Sequence, residues 1–91
     1  MDTLLIHALA VWPQGKGRCK IRATVRAGEP HAGDEVWFEC RDLQSRRLVV
    51  QDVRITPRLS TIALEGDPDD VDALVGGMYL HSRDQAMATQ E

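Results

Sequence analysis

Cysteine is scarce in this chain, and neither a signal peptide nor a membrane-spanning segment is expected from its residues. Among 91 residues only Cys19 and Cys40 carry thiols. Asp2 stands where a signal peptide has its basic residues, His7 interrupts the first apolar run, and no small-residue cleavage site follows. That run, residues 3–12, is too short to cross a bilayer. Two cysteines without an export signal are expected as free thiols in a reducing compartment, so the protein is expected in the cytoplasm. Spacings such as Cys-x-x-Cys are missing, and His7, His31 and His81 are scattered. Neither a metal nor another cofactor is therefore expected. No serine or cysteine nucleophile stands beside a histidine in a recognisable context, which points away from an enzyme. Repeats, linkers and low-complexity tracts are also missing.

The length makes one small domain with a thin core. The net charge of −3 is unevenly spread. Residues 16–58 hold ten basic and six acidic residues, whereas residues 59–91 hold one basic and seven acidic. Such a split suggests two surfaces of different sign.

Apolar residues then recur with period two, the mark of strands with one buried face. The segments 3–12, 18–27, 35–40, 47–55, 59–65 and 78–81 read as six short strands. Loops or turns fall at 13–17 and 41–46, and Pro57 closes the fourth strand. Residues 67–74 read as a short helix, capped by Asp67 or Asp69 and ended by Gly76 and Gly77. The pattern predicts an all-β fold, a small six-stranded Greek-key β-barrel over residues 1–81, with a fraying tail over 82–91.

The second and third strands invite pairing as a hairpin across a turn marked by Gly28, Pro30 and Gly33. With Arg26 opposite Glu35, Arg22 faces Glu39 and Thr24 faces Trp37 on the outside. Inside, Val25 meets Val36, Ala23 meets Phe38, and Ile21 meets Cys40. Two outward pairs then carry opposite charges, and Lys20 falls against Arg41. Cys19 and Cys40 both point inward but lie diagonally, too far apart for an unstrained disulfide.

Gly17, the run Ala-Thr-Val-Arg-Ala-Gly at 23–28 and Gly-Asp-Glu-Val at 33–36 resemble the second domain of translational GTPases such as EF-Tu. The segment 59–66, the acidic stretch 67–72 and Gly-Met-Tyr-Leu at 77–80 are similar to the closing part of that barrel. The amino-terminal domain of the ribosome maturation factor RimM has a similar barrel, and residues 64–66 and 77–80 resemble it about as well. Ala23 departs from the family's frequent glycine, and the turn before its penultimate strand is missing or compressed. The resemblance implies contact with ribosomal RNA or the aminoacyl end of tRNA, without matching individual contact residues. No GTPase domain is expected within these 91 residues. Gly28 and Gly33 have the spacing of a phosphate loop, but Asp34 and Glu35 stand where lysine and a hydroxyl residue are required.

The candidate site is a basic stripe. Lys16, Arg18, Lys20 and Arg22, with Arg26, fall on the outward parity of the second strand. Trp37 on the same face would stack a base, and Arg41 completes the cluster. Two readings stand: a surface that tracks a phosphate backbone, and a solvated barrel face. Trp37 is either a partner's anchor, which makes a protein-interaction or oligomerisation module the alternative function, or a ring covered by the chain itself. The aspartates at 67, 69, 70 and 72 lack the ligand spacing of a calcium loop and fit a helix N-terminus.

Overall fold

A computed structural model describes residues 3–40, 44–56 and 58–82. Six strands and one short helix run through them: β1 (Leu5–Gly15), β2 (Arg18–Ala27), β3 (Glu35–Glu39), β4 (Ser45–Ile55), β5 (Ser60–Glu65), α1 (Pro68–Ala73) and β6 (Tyr79–His81). The strands pair antiparallel throughout and close in the order β1-β2-β5-β4-β3-β6. Strands β3, β4 and β5 follow one another as neighbours, and β6 returns beside β3 through the connection that carries α1. This is a Greek key. The expected six-stranded Greek-key barrel is the architecture found, and closure leaves no sheet edge.

The inside follows from the period-two pattern. Ile6 and Ala8 of β1, Cys19, Ile21 and Ala23 of β2, Val36 and Phe38 of β3, Leu48 and Val50 of β4, Ile62 and Leu64 of β5 and Leu80 of β6 are all buried. Cys40 is half-buried against this core, and both cysteines are free. Burial pushes the Cys19 thiol from 9.0 up to about 11. The folded state therefore keeps a proton that the unfolded chain releases near pH 9. The group contributes stability below that pH and loses it as pH rises through about 11. At pH 8 Cys19 should resist iodoacetamide in the folded protein, and both thiols should be alkylated in denaturant without reductant. Mass spectrometry of the two samples checks this, and a native disulfide would contradict it.

Strand β1 runs three residues beyond its expected end. Pro13 lies past the stretch that β6 pairs with and next to a register shift, where a sheet tolerates proline. A tight turn through Lys16 and Gly17 then folds β2 back on β1. Gly17 has φ 76°, and a Cβ there would meet the Gly66 carbonyl oxygen at 2.7 Å, so only glycine fits.

The pairing of β2 is not the expected one. Its neighbours are β1 and β5, and β3 lies between β4 and β6. In the ring, β2 and β3 are separated by two strands in either direction, on opposite sides of the barrel. None of the pairs Arg26–Glu35, Arg22–Glu39 or Thr24–Trp37 forms, nor do the inward pairs. Residues 28–34 are not a hairpin turn. They carry the chain away from β2 and dock on β4, where Gly33 donates to the Val50 carbonyl (2.7 Å) and Val50 to that of Asp34 (2.8 Å). Glu35 instead pairs with Arg47 of β4. Arg41, Pro57 and the tail from residue 83 onward lie outside the described residues.

Helix α1 caps one end of the barrel. The Asp67 side chain accepts from the Asp69 amide (3.0 Å), Pro68 occupies the first turn, and Val71 points into the core. The helix ends before the glycines, because Leu74 turns extended and buries its side chain. Arg46, on the inward parity of β4, reaches Asp70 at 2.8 Å and ties the cap to the wall. The acidic stretch is thus spent partly on capping and partly on this ion pair.

Candidate nucleic-acid interface

Alternation along β2 sends Arg18, Lys20 and Arg22 outward while Cys19, Ile21 and Ala23 fill the core. Arg26 is exposed further along the same strand, and Lys16 is exposed in the turn before it. Glu35 and Glu39 are on the far side of the barrel, so they cannot neutralise this column. Among the described residues Lys16, Lys20, Arg22 and Arg26 have no carboxylate partner. Arg18 meets Glu65 of β5 at 3.9 Å, with 68% of the Arg18 and 45% of the Glu65 side chain exposed to solvent. An exposed pair at that distance is worth little and is screened by salt.

The neighbouring strands decide what lies beside each cation. On one flank Ala10, Trp12 and Gly15 of β1 stand opposite Arg22, Lys20 and Arg18. On the other flank Thr61, Ala63 and Glu65 of β5 stand opposite the same three residues. One strand further, Arg54 of β4 pairs with Thr61 and Asp52 with Ala63. The Arg22 guanidinium sits over the Trp12 ring, 5.4 Å from its centroid. Such a cation–π contact holds the ring in place.

Between these flanks runs a groove of about 350 Å³, lined by Gln14, Arg18, Lys20, Gln51, Ala63 and Glu65 and floored by Cys19 and Leu64. Its shape has two local causes. The Ala63 side chain is too short to fill the space between Lys20 and Asp52. The ladders also shift register between Pro13 and Gly15 and between Val50 and Asp52, at Gln14 and Gln51, and both amides line the groove. Bulges re-aim side chains in this way. The face thus combines cations for phosphates, two amides that can hydrogen-bond base edges, and an indole with about 43% of its surface exposed.

Trp37 belongs to another face. It is half-buried on β3, opposite Arg47 of β4 and His81 of β6. It cannot share a ligand with the β2 column, so its expected role beside the basic stripe is corrected. The opposition of Lys20 and Arg41 falls with the β2–β3 pairing, and Arg41 itself lies outside the described residues. The aromatic residue that stands beside the stripe is Trp12. A sequence signal for it existed, because residues 3–12 are apolar at both parities, so the outer face of β1 is apolar as well.

No group of three or more His, Cys, Asp or Glu that could hold a metal occurs among the described residues. No helix there is long and apolar enough to cross a membrane. No protein-family model matches the chain, and it matches no curated protein and no solved structure.

Proposed function

We propose that this chain is a non-catalytic, cytoplasmic module whose motifs resemble the second domain of translational GTPases and which binds single-stranded RNA through the outer face of β2. One observation carries the reading. Four basic side chains on β2 or in the turn before it lack carboxylate partners among the described residues, and an exposed tryptophan stands in the next strand opposite Lys20. Like charges gathered on a strand cost stability unless an anion relieves them. A polyanion with stackable bases satisfies both the cations and the indole.

Fluorescence anisotropy with a labelled single-stranded RNA tests this. If three or four phosphates are neutralised, affinity should fall with salt at a log–log slope of about −2 to −3. The double variant Lys20→Glu/Arg22→Glu should abolish binding and keep the circular dichroism of the barrel, because both side chains are exposed. Trp12→Ala should weaken binding by about 1–3 kcal/mol. Trp37→Ala, on the opposite side, should leave affinity unchanged. Absence of binding at low salt refutes the proposal.

A second reading, a protein-interaction or oligomerisation module without nucleic-acid binding, is favoured by a separate observation. Four of the five large apolar side chains exposed among the described residues, Leu9, Trp12, Val75 and Tyr79, lie on β1 or beside it.

A further inference from the structure

The outer face of β2 and its neighbours sorts its charges by strand. Arg18, Lys20 and Arg22 stand along β2. Beside them on β5 stand Glu65, Ala63 and Thr61, and Asp52 of β4 stands beyond Ala63. Trp12 lies on the other flank, opposite Lys20. A phosphate placed near Glu65 or Asp52 is repelled. A bound strand therefore keeps its backbone over β2, and what it turns towards β5 is a base edge.

Arg18 and Glu65 differ from the other charged groups of the face. Lys16, Lys20, Arg22 and Arg26 have no carboxylate partner among the described residues and suit phosphates. Arg18 and Glu65 stand opposite each other and line the same groove. Their nearest atoms are 3.9 Å apart, beyond the hydrogen-bonding range of about 2.7–3.2 Å. They are close enough to act on one ligand and too far apart to satisfy each other. The groove thus offers a guanidinium fork of donors next to a carboxylate pair of acceptors. The Gln14 and Gln51 amides at its sides each add a donor and an acceptor.

We propose that this groove selects guanine, with Arg18 and Glu65 as the specificity-determining residues. Guanine presents two adjacent acceptors, O6 and N7, which an arginine fork contacts together. Next to them it presents two adjacent donors, the ring N1–H and the N2 amino group, which suit the two oxygens of a carboxylate. The other bases mismatch the carboxylate. Cytosine and adenine set an amino group beside an unprotonated ring nitrogen, so one carboxylate oxygen meets a lone pair. Uracil sets its single N–H between two carbonyl oxygens. The short Ala63 side chain leaves about 350 Å³ between the strands, space for one ring system. This assignment rests on the RNA-binding reading and adds the base that the site chooses.

Fluorescence anisotropy with labelled oligouridylates of about nine nucleotides tests it. Guanine in place of the central uracil should tighten binding by about tenfold. Adenine, which stacks on Trp12 as a purine does, should not reproduce this gain, nor should cytosine. Hypoxanthine lacks the N2 amino group and 7-deazaguanine lacks the N7 acceptor, so each should lose a large part of the gain. Glu65→Gln should abolish the preference for guanine while binding the all-uridine strand at least as tightly as the parent, because a charge that repels phosphate is gone. Arg18→Ala should also abolish it. GMP alone should compete far more weakly than the guanine-containing strand, since it brings one phosphate to four cations. Binding that is indifferent to the central base, or that favours adenine or cytosine, overturns the inference and leaves the RNA reading standing. So does a guanine preference that survives Glu65→Gln and hypoxanthine. GMP competing as well as the strand overturns selection within a bound strand. If no strand binds at low salt, the RNA reading fails and this inference with it.

Discussion

Replacement of Phe38 by alanine is expected to remove about 3–5 kcal/mol of folding stability. Phe38 is the largest fully buried side chain among the described residues, with no exposed surface, on a strand of only five residues. Its loss removes the transfer free energy of an aromatic ring and leaves a cavity that a closed barrel wall cannot collapse to fill. A domain of 91 residues has a total stability of about 5–14 kcal/mol. The variant should therefore lose between about a fifth and all of it. Urea unfolding, followed by tryptophan fluorescence and circular dichroism, measures the difference. Phe38→Leu should cost about 1–1.5 kcal/mol, since it keeps most of the volume. A loss below about 1 kcal/mol in Phe38→Ala would mean that the ring does not fill the barrel.

Gly28→Ala should destabilise the protein by about 2–3 kcal/mol. Gly28 ends the turn of the chain out of β2 with φ 74°, where an L side chain is strained, and a Cβ there would lie 2.5 Å from the Thr3 carbonyl oxygen. That atom is backbone leading into β1, so the strand itself has to move. Gly33 provides the control. It has φ 95° and nothing within 4 Å of an added Cβ, so Gly33→Ala should show only the conformational cost, about 1–2 kcal/mol. Thermal denaturation of the two variants separates strain from steric displacement, and equal losses would contradict the tight approach of Thr3. Because β1 presents Trp12 opposite Lys20, Gly28→Ala should also reduce affinity for single-stranded RNA more than Gly33→Ala does.

The parity of the second and third strands was legible without coordinates. Cys19, Ile21, Ala23, Val36 and Phe38 are inward, and Arg18, Lys20 and Arg22 are outward, as their alternation requires. Strand pairing was not legible from the same signal. Any antiparallel partner of matching parity sets inward residues against inward ones, so the apparent agreement between 18–27 and 35–40 did not single out that pair. The opposite charges at Arg22 and Glu39 added little, since exposed pairs are weak enough for Glu35 to find Arg47 instead. The candidate site inherited this ambiguity. The outward placement of Arg18, Lys20 and Arg22 was legible, but Trp37 stands on a strand that does not adjoin β2, and the groove at Gln14 and Gln51 depends on register shifts that no local pattern announces.

Side-chain periodicity, turn glycines and the Asp67 cap act over a few residues, and they already specify a small all-β domain with one short helix and a basic strand face. Closure of the ring acts over the whole chain. It separates β2 from β3 and places Trp12 against Lys20. Those arrangements come from burying both ends of the sheet at once, a free energy shared among all six strands that no single segment carries.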